Sequence, residues 1–344
     1  MREDRMSPSE RIGAFLSGKP IDRFPCVPLI LNHAARVNGV KIGAHNRDGA
    51  LMGKCHADAY RRYGQDLITI FSDTAVISEA MGTELFFPED DVPRVQTPAI
   101  PNIGDWSRLV EATADDGRLP VYLEAIRTAS AEVAGEVPVT CCFPAPFTTA
   151  AMLRGTDQFA RDLFRNRECA HGLLQHSLDA CCAFSDAVVD TGGIPVVVDP
   201  IATGSVLGER HFREFALPYL TELHKRIAAR GMPVLLHICG QTQRILDAML
   251  ESGAALLSLD DIPMSVARDR AGSKVALMGN VRPAQTLLKG KPEDVVNEVR
   301  ELCEIGRSCS AGFVLGSGCE APIATPPENI DAMMNAVREF GCFD

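Results

Sequence analysis

The stretch Val234-Leu235-Leu236-His237-Ile238-Cys239-Gly240 is an apolar run that ends in an imidazole, a thiol and a glycine. An apolar run of this length reads as a strand buried on both faces, as in a parallel sheet covered by helices. Seven more runs of similar character lie at 24–31, 67–71, 137–143, 194–199, 255–260, 275–280 and 313–318, and with 233–239 they make eight. Helical patterns at 119–133, 167–189, 211–230, 244–251 and 292–305 separate most of them, and a last helix at 327–340 follows the final strand. Eight strands alternating with helices predict a single parallel (β/α)8 TIM barrel over 1–344. A doubly wound sheet competes with it. Its phosphate fingerprint would have to be Gly316-Ser317-Gly318-Cys319-Glu320-Ala321, which leaves no room for the following strand and its ribose-binding acid.

Two features frame the barrel. Ser7-Pro8-Ser9-Glu10 is a capping box with proline at the first helical position, so a short helix is expected to run from there to near Gly18. The segment 74–102 breaks the alternation; rich in proline and acids, it is expected to form a hairpin-like excursion.

Composition narrows the function. The 344 residues carry a net charge of −11, which argues against nucleic acid or an anionic membrane surface as the main partner. No apolar stretch approaches the ~20 residues of a membrane span, and the opening Met1-Arg2-Glu3-Asp4-Arg5 lacks the core of a signal peptide, so a cytoplasmic location is expected. The twelve cysteines are then expected to be free thiols.

His237 and Cys239 stand two apart on a strand, so their side chains share a face. Cys319, between Gly318 and Glu320, ends the last apolar run. One nitrogen and two sulfurs from strand ends suit a zinc site with one position open, as catalytic zinc requires. A closed structural site would add a fourth ligand, typically from a Cys-x-x-Cys pair, and the chain has none. Cysteine is also a common core residue, so the pair His-x-Cys alone would suit plain burial.

Catalytic groups of such barrels sit at the C-terminal ends of the strands. Those ends read Asp199, then His237 and Cys239, then Asp260 and Asp261, then Asn280, then Cys319. Asp and Asn are frequent there simply as caps of turns and helices, a reading that suits Asn280 and Asp261. Asp199 and Asp260 are the candidates for positioning a zinc ligand or a substrate. His33, His45, His56, His171, His176, His211 and His224 have no comparable neighbours and read as packing or surface residues.

Several motifs together resemble the uroporphyrinogen decarboxylase superfamily. They are Val197-Val198-Asp199-Pro200-Ile201-Ala202-Thr203-Gly204-Ser205, Leu217-Pro218-Tyr219, His237-Ile238-Cys239-Gly240, Met278-Gly279-Asn280-Val281, Gly318-Cys319-Glu320 and Thr325-Pro326-Pro327-Glu328-Asn329-Ile330. Ala145-Pro146-Phe147-Thr148 and Leu153-Arg154-Gly155-Thr156 are similar to its middle segment. The resemblance covers nearly the whole chain and implies a TIM barrel. Decarboxylases of this superfamily carry arginines for substrate carboxylates in an N-terminal Arg-Gln-Ala-Gly-Arg-like stretch. Here the corresponding Leu31-Asn32-His33-Ala34-Ala35-Arg36 lacks the first of them.

The His-x-Cys…Cys set instead resembles the methylcobamide:coenzyme M methyltransferase branch. That resemblance implies His237, Cys239 and Cys319 as ligands of one zinc ion per chain. It also implies a methylcorrinoid donor on a separate corrinoid protein, and a small thiol such as coenzyme M as acceptor. The ligand charges suit this chemistry, since two thiolates and a neutral imidazole offset Zn²⁺ and leave a bound thiol electron-rich. Three alternatives stand beside it: a donor-side enzyme methylating a corrinoid protein from a small substrate, a porphyrinogen decarboxylase, and a zinc-binding subunit without turnover.

Overall fold

The computed structural model describes residues 3–343. Its strands are β1 (Cys26–Val27), β2 (Ile68–Ile70), β3 (Glu84–Phe86), β4 (Arg94–Thr97), β5 (Val139–Pro144), β6 (Ile194–Val198), β7 (Leu235–Ile238), β8 (Leu256–Leu259), β9 (Ala276–Val281) and β10 (Phe313–Ser317). β3 and β4 form a separate antiparallel hairpin, the excursion expected between 74 and 102. The other eight make one parallel sheet in chain order, and β10 returns to pair with β1 through Cys26 and Leu315. This is the (β/α)8 barrel.

The seam between β1 and β2 closes by other means. No ladder joins the two strands among the described residues. Instead the Asp66 N–H donates to the Cys26 carbonyl at 2.9 Å, and the Asp66 carboxylate accepts from the Cys26 N–H at 2.6 Å. Strand β1 is far shorter than the expected 24–31. Pro25 and Pro28 flank it, and a proline has no N–H to give a ladder.

The same Asp66 anchors an ionic cluster. Its carboxylate also accepts from the guanidinium groups of Arg11 and Arg23. Arg11 reaches Asp22 through Nε at 2.7 Å, and Arg23 reaches Asp4 through Nε at 2.6 Å. Arg11 is carried by the helix Pro8–Leu16, which starts with the expected capping box: Ser7 Oγ accepts from the Glu10 N–H, and the Glu10 carboxylate from the Ser7 N–H. The cluster thus ties that helix to the seam. Ile12 and Phe15 on the same helix pack into Val27, Leu67, Leu256, Ala276, Met278 and Val314, and so plug the N-terminal end of the barrel interior.

Some helices depart from expectation. The helix Gly49–Tyr63 carries too few large apolar residues to show a periodicity, yet it is well bounded by Asp48, which caps the Leu51 N–H, and by Gly64 in the left-handed region. Small residues are its contact face. A Cβ on Gly53 would stand 2.6 Å from the Ala125 carbonyl oxygen of the helix Leu119–Val133, so only glycine permits this approach. The expected helix at 211–230 is interrupted instead of continuous: a π-turn spans Phe212–Ala216 before the α-helix Leu217–Ala229. Pro218 explains it, because its missing N–H removes the bond to the carbonyl four residues earlier.

Inside the barrel are two cavities of about 160 Å³ each, one toward the C-terminal ends of the strands and one above the plugging helix. Leu67, Thr140, Leu235, Leu256 and Met278 line both, so they form the partition between them.

Candidate metal centre

The parallel register of β6, β7 and β8 sets the centre. His237 pairs with Val198 on one side and Ser258 on the other, and its ring faces the upper cavity. Cys239, two residues on, shares that face. Cys319 arrives just after β10, where Gly318 lets the chain pass against β8; a Cβ there would stand 2.8 Å from Asp260 Oδ1.

His237 Nε2 lies 3.0 Å from Cys239 Sγ, and the two sulfurs are 3.3 Å apart. All three donor atoms lie within 4.8 Å of one another. A tetrahedral ion with Zn–S near 2.3 Å holds its sulfurs about 3.8 Å apart, so the pair would open by about half an ångström to admit it. The donor set fits zinc: soft sulfur and imidazole at the right spacing, with a side facing the cavity free for a further ligand.

The charges of the trio favour metal binding. Hydrogen bonds from Cys239 and His237 hold the Cys319 thiol below its ordinary pKa, against the effect of burial. The Cys239 thiol, bonded to the Cys319 sulfur and buried, is pushed up. Burial alone would lower the His237 pKa, but the neighbouring Cys319 sulfur outweighs it and raises it. An ion in the centre would take the place of the protons that now hold these sulfurs together.

Sequence reasoning missed the group that orients His237. Its Nδ1 lies 3.0 Å from Ser258 Oγ, directly across the β7–β8 ladder, and this leaves Nε2 aimed at the sulfurs. A serine in the middle of an apolar strand carries no signal until the register is known. Ser258→Ala is expected to weaken zinc binding by about 10–100-fold, measured by competition with a chromophoric chelator. An unchanged affinity would remove Ser258 from the site.

The two candidate carboxylates occupy different places. Asp260 stands beside the trio: its Oδ2 accepts from the Gly240 N–H at 2.8 Å, and the Asp261 N–H returns a bond to the Gly240 carbonyl. It therefore holds the loop that carries Cys239, while Asn280 Nδ2 holds the backbone of Asp260 and Ile262. Burial raises the Asp260 pKa. Asp199 does not line the cavity. It is fully buried; its Oδ1 accepts from the backbone N–H and hydroxyl of Thr148, in the first turn of the helix Pro146–Arg154, and its Oδ2 has no partner. Burial pushes its carboxyl up to about 7. Only its backbone touches the trio, through an N–H bond to the His237 carbonyl.

A further carboxyl faces the cavity. Glu320, next to Cys319, accepts from the backbone N–H and the side-chain amide of Asn32, both at 3.1 Å, and burial pushes it up to about 7. Nothing in a Cys-Glu pair at a strand end reveals that the acid turns inward. The histidines outside the centre are packing residues where they are buried: His33 lies between the Tyr63 hydroxyl and the Ile323 carbonyl, and His224 against the Ser252 carbonyl.

Fold and centre together define a (β/α)8 barrel protein in which three side chains of metal-ligating type gather at the C-terminal ends of the strands. The chain belongs to the uroporphyrinogen decarboxylase family, whose family model matches residues 7–340. Among its relatives is a methylated-thiol–coenzyme M methyltransferase of Methanosarcina mazei, 28% identical over 340 residues, covering 97% of this chain and 90% of the relative. A uroporphyrinogen decarboxylase of Pseudoalteromonas translucida is 31% identical over 292 residues, covering 81% and 80%. A solved structure of a methyltransferase from Methanosarcina mazei superposes with a TM-score of 0.89 at 25% identity, covering 98% of this chain and 99% of that one.

Proposed function

We propose that this protein is a zinc-dependent methyltransferase that moves a methyl group from a methylated corrinoid, carried by a separate protein, to a small thiol of the coenzyme M type. The observation that carries this reading is the convergence of His237, Cys239 and Cys319 on the wall of a closed-bottomed cavity. The methyltransferases among its relatives, which it matches along nearly its whole length, support it. When bound by the trio, zinc supplies a Lewis acid that lowers the pKa of an incoming thiol and fixes the position of its sulfur.

The chain's own residues do the rest. Cys239 and Cys319 bring negative charge, which keeps the acceptor sulfur nucleophilic. Ser258 and the bonds around Gly240 hold the donors in place before any substrate arrives, so no reorganisation is needed at the moment of transfer. The apolar wall keeps water away from the reacting sulfur.

The decarboxylase reading has the relatives at 31% identity in its favour, but the cavity opposes it. Among the described residues no lysine or arginine lines it, and a tetrapyrrole with eight carboxylates needs several. Asn32 and His33, in the segment where decarboxylases carry their arginines, are spent on Glu320, Ile323 and Tyr63.

Zinc-loaded protein is expected to consume methylcobalamin only when a thiol is present, and to yield the methyl thioether, followed by the absorbance of the corrinoid. Methyl transfer from a small donor onto free cob(I)alamin, with no reaction of thiols, would favour the donor-side alternative. Decarboxylation of uroporphyrinogen would overturn the proposal altogether.

A further inference from the structure

Outside the barrel wall, at the C-terminal ends of β5 and β6, runs a groove between the helix Thr156–Arg165 and the segment 201–211. Phe147 and Ile201, which closely follow those two strands, help to line it. Two further lining residues, Phe164 and Val206, are large apolar side chains left 67% and 53% exposed. Exposed apolar side chains scattered singly are ordinary, but two that share one groove mark a contact surface. Phe164 is also held in place, since its ring meets that of His211 edge to face at 4.8 Å. An aromatic ring that is already fixed loses little freedom when a partner covers it.

The elements that form the groove carry cations to spare. Arg161, Arg165, Arg210 and Arg244 are exposed and have no acidic partner among the described residues. The first two lie one turn apart on the helix that presents Phe164, and Arg210 precedes His211. Arg244 comes from the loop after Cys239, and its Cβ would stand 3.8 Å from a Cβ on Gly204, close to Val206 in the chain. Most nearby acids are engaged: Asp162 with Arg154, Glu209 with Arg213 and Glu214 with Arg167. Asp157 and Glu168 remain to face four guanidinium groups. In a chain with a net charge of −11 this is a local reversal of sign, of the kind that draws in an acidic partner.

We infer that this groove is the docking surface of the protein that brings the methyl donor, and that the partner meets it with an apolar side chain set among carboxylates. The inference rests on the methyltransferase reading and makes its partner more specific. Under that reading the donor approaches Cys239 and Cys319 from the C-terminal end of the barrel. Pro200 belongs to the wall of the upper cavity and Ile201 to the groove, so a protein seated on the groove stands at the edge of the cavity mouth. A free corrinoid has no protein face to place there and does not need it. A second copy of this chain fits less well, because two chains of net charge −11 repel each other at a distance.

The test compares two donors. One is free methylcobalamin; the other is a corrinoid protein from the cells that make this enzyme, purified by its absorbance and methylated in its cobalt(I) form with iodomethane. The acceptor is 2-mercaptoethanesulfonate throughout. Phe164→Glu, and Arg161→Glu combined with Arg165→Glu, lie outside both the metal centre and the cavity. Each is expected to raise KM for the protein donor by about tenfold or more and to leave kcat/KM for methylcobalamin unchanged. Added salt should raise the wild-type KM for the protein donor and spare that for methylcobalamin. An unchanged KM for the protein donor in both variants would overturn the inference and leave the methyltransferase reading standing. So would a wild-type enzyme that demethylates methylcobalamin but no corrinoid protein. Wild-type dimers that Phe164→Glu turns into monomers would give the groove to a second copy of this chain and overturn it as well. If the wild type demethylates neither donor, the methyltransferase reading falls and this inference with it.

Discussion

Purified Cys319→Ala and Cys239→Ala proteins are expected to keep the barrel and to lose both tightly held metal and methyl transfer. Outer-shell partners of a metal typically contribute about 10–100-fold, and removing one of three direct donors should exceed that. The fold should survive because neither sulfur belongs to the packed interior. Cys239 and Cys319 are half-buried just past the ends of β7 and β10, and the packing of those strands rests on Leu236, Ile238, Phe313 and Leu315. Metal analysis, circular dichroism and the methylcobalamin assay check the three parts separately. Either variant retaining a full equivalent of zinc at wild-type affinity would defeat the assignment of the trio.

The second large effect concerns stability. Asp66→Ala should destabilise the protein by about 3–5 kcal/mol, the range for breaking a buried ion pair from one side. The loss leaves Arg11 and Arg23, both buried, without a shared counter-charge, and it also removes the side-chain bond across the β1–β2 seam. A lowered urea midpoint with the same product of catalysis would be the expected pattern, since the cluster lies at the opposite end of the barrel from the metal centre. For comparison, Asp186→Ala breaks surface contacts to Arg226 and Arg230 and should change stability by about 0–1 kcal/mol. Equal effects from the two substitutions would show that the buried cluster is not what closes the seam.

Much of this molecule can be read from local pattern, and the parts that cannot share a physical cause. Strand period places His237 and Cys239 on one face, and the rule about strand ends adds Cys319 from eighty residues away. Ser258 and Glu320 escape because their roles come from neighbours supplied by other segments: the register of β7 on β8 in one case, Asn32 in the other. Asp199 stands at a strand end, where one carboxylate can cap a helix turn, as it does at Thr148, and also serve a site, and local pattern does not separate the two uses. The helix Gly49–Tyr63 is hidden by its own packing device, because a face built of glycine and alanine has little hydrophobic contrast. Arg11 and Arg23 are the sharpest case. Charged residues in a polar N-terminal stretch read as surface, and only the three aspartates gathered from Asp4, Asp22 and Asp66 make their burial possible.

The partition across the barrel interior has a kinetic consequence. With Leu67, Thr140, Leu235, Leu256 and Met278 as its floor and the helix Pro8–Leu16 sealing the far end, the upper cavity is a cul-de-sac. Traffic in both directions must use one doorway. A bulky methyl donor resting on that doorway would shut in whatever already lies beneath it, so the small acceptor has to board first and the methylated product can disembark only after the donor has moved off. The order of events is then imposed by the shape of the room, without any moving lid.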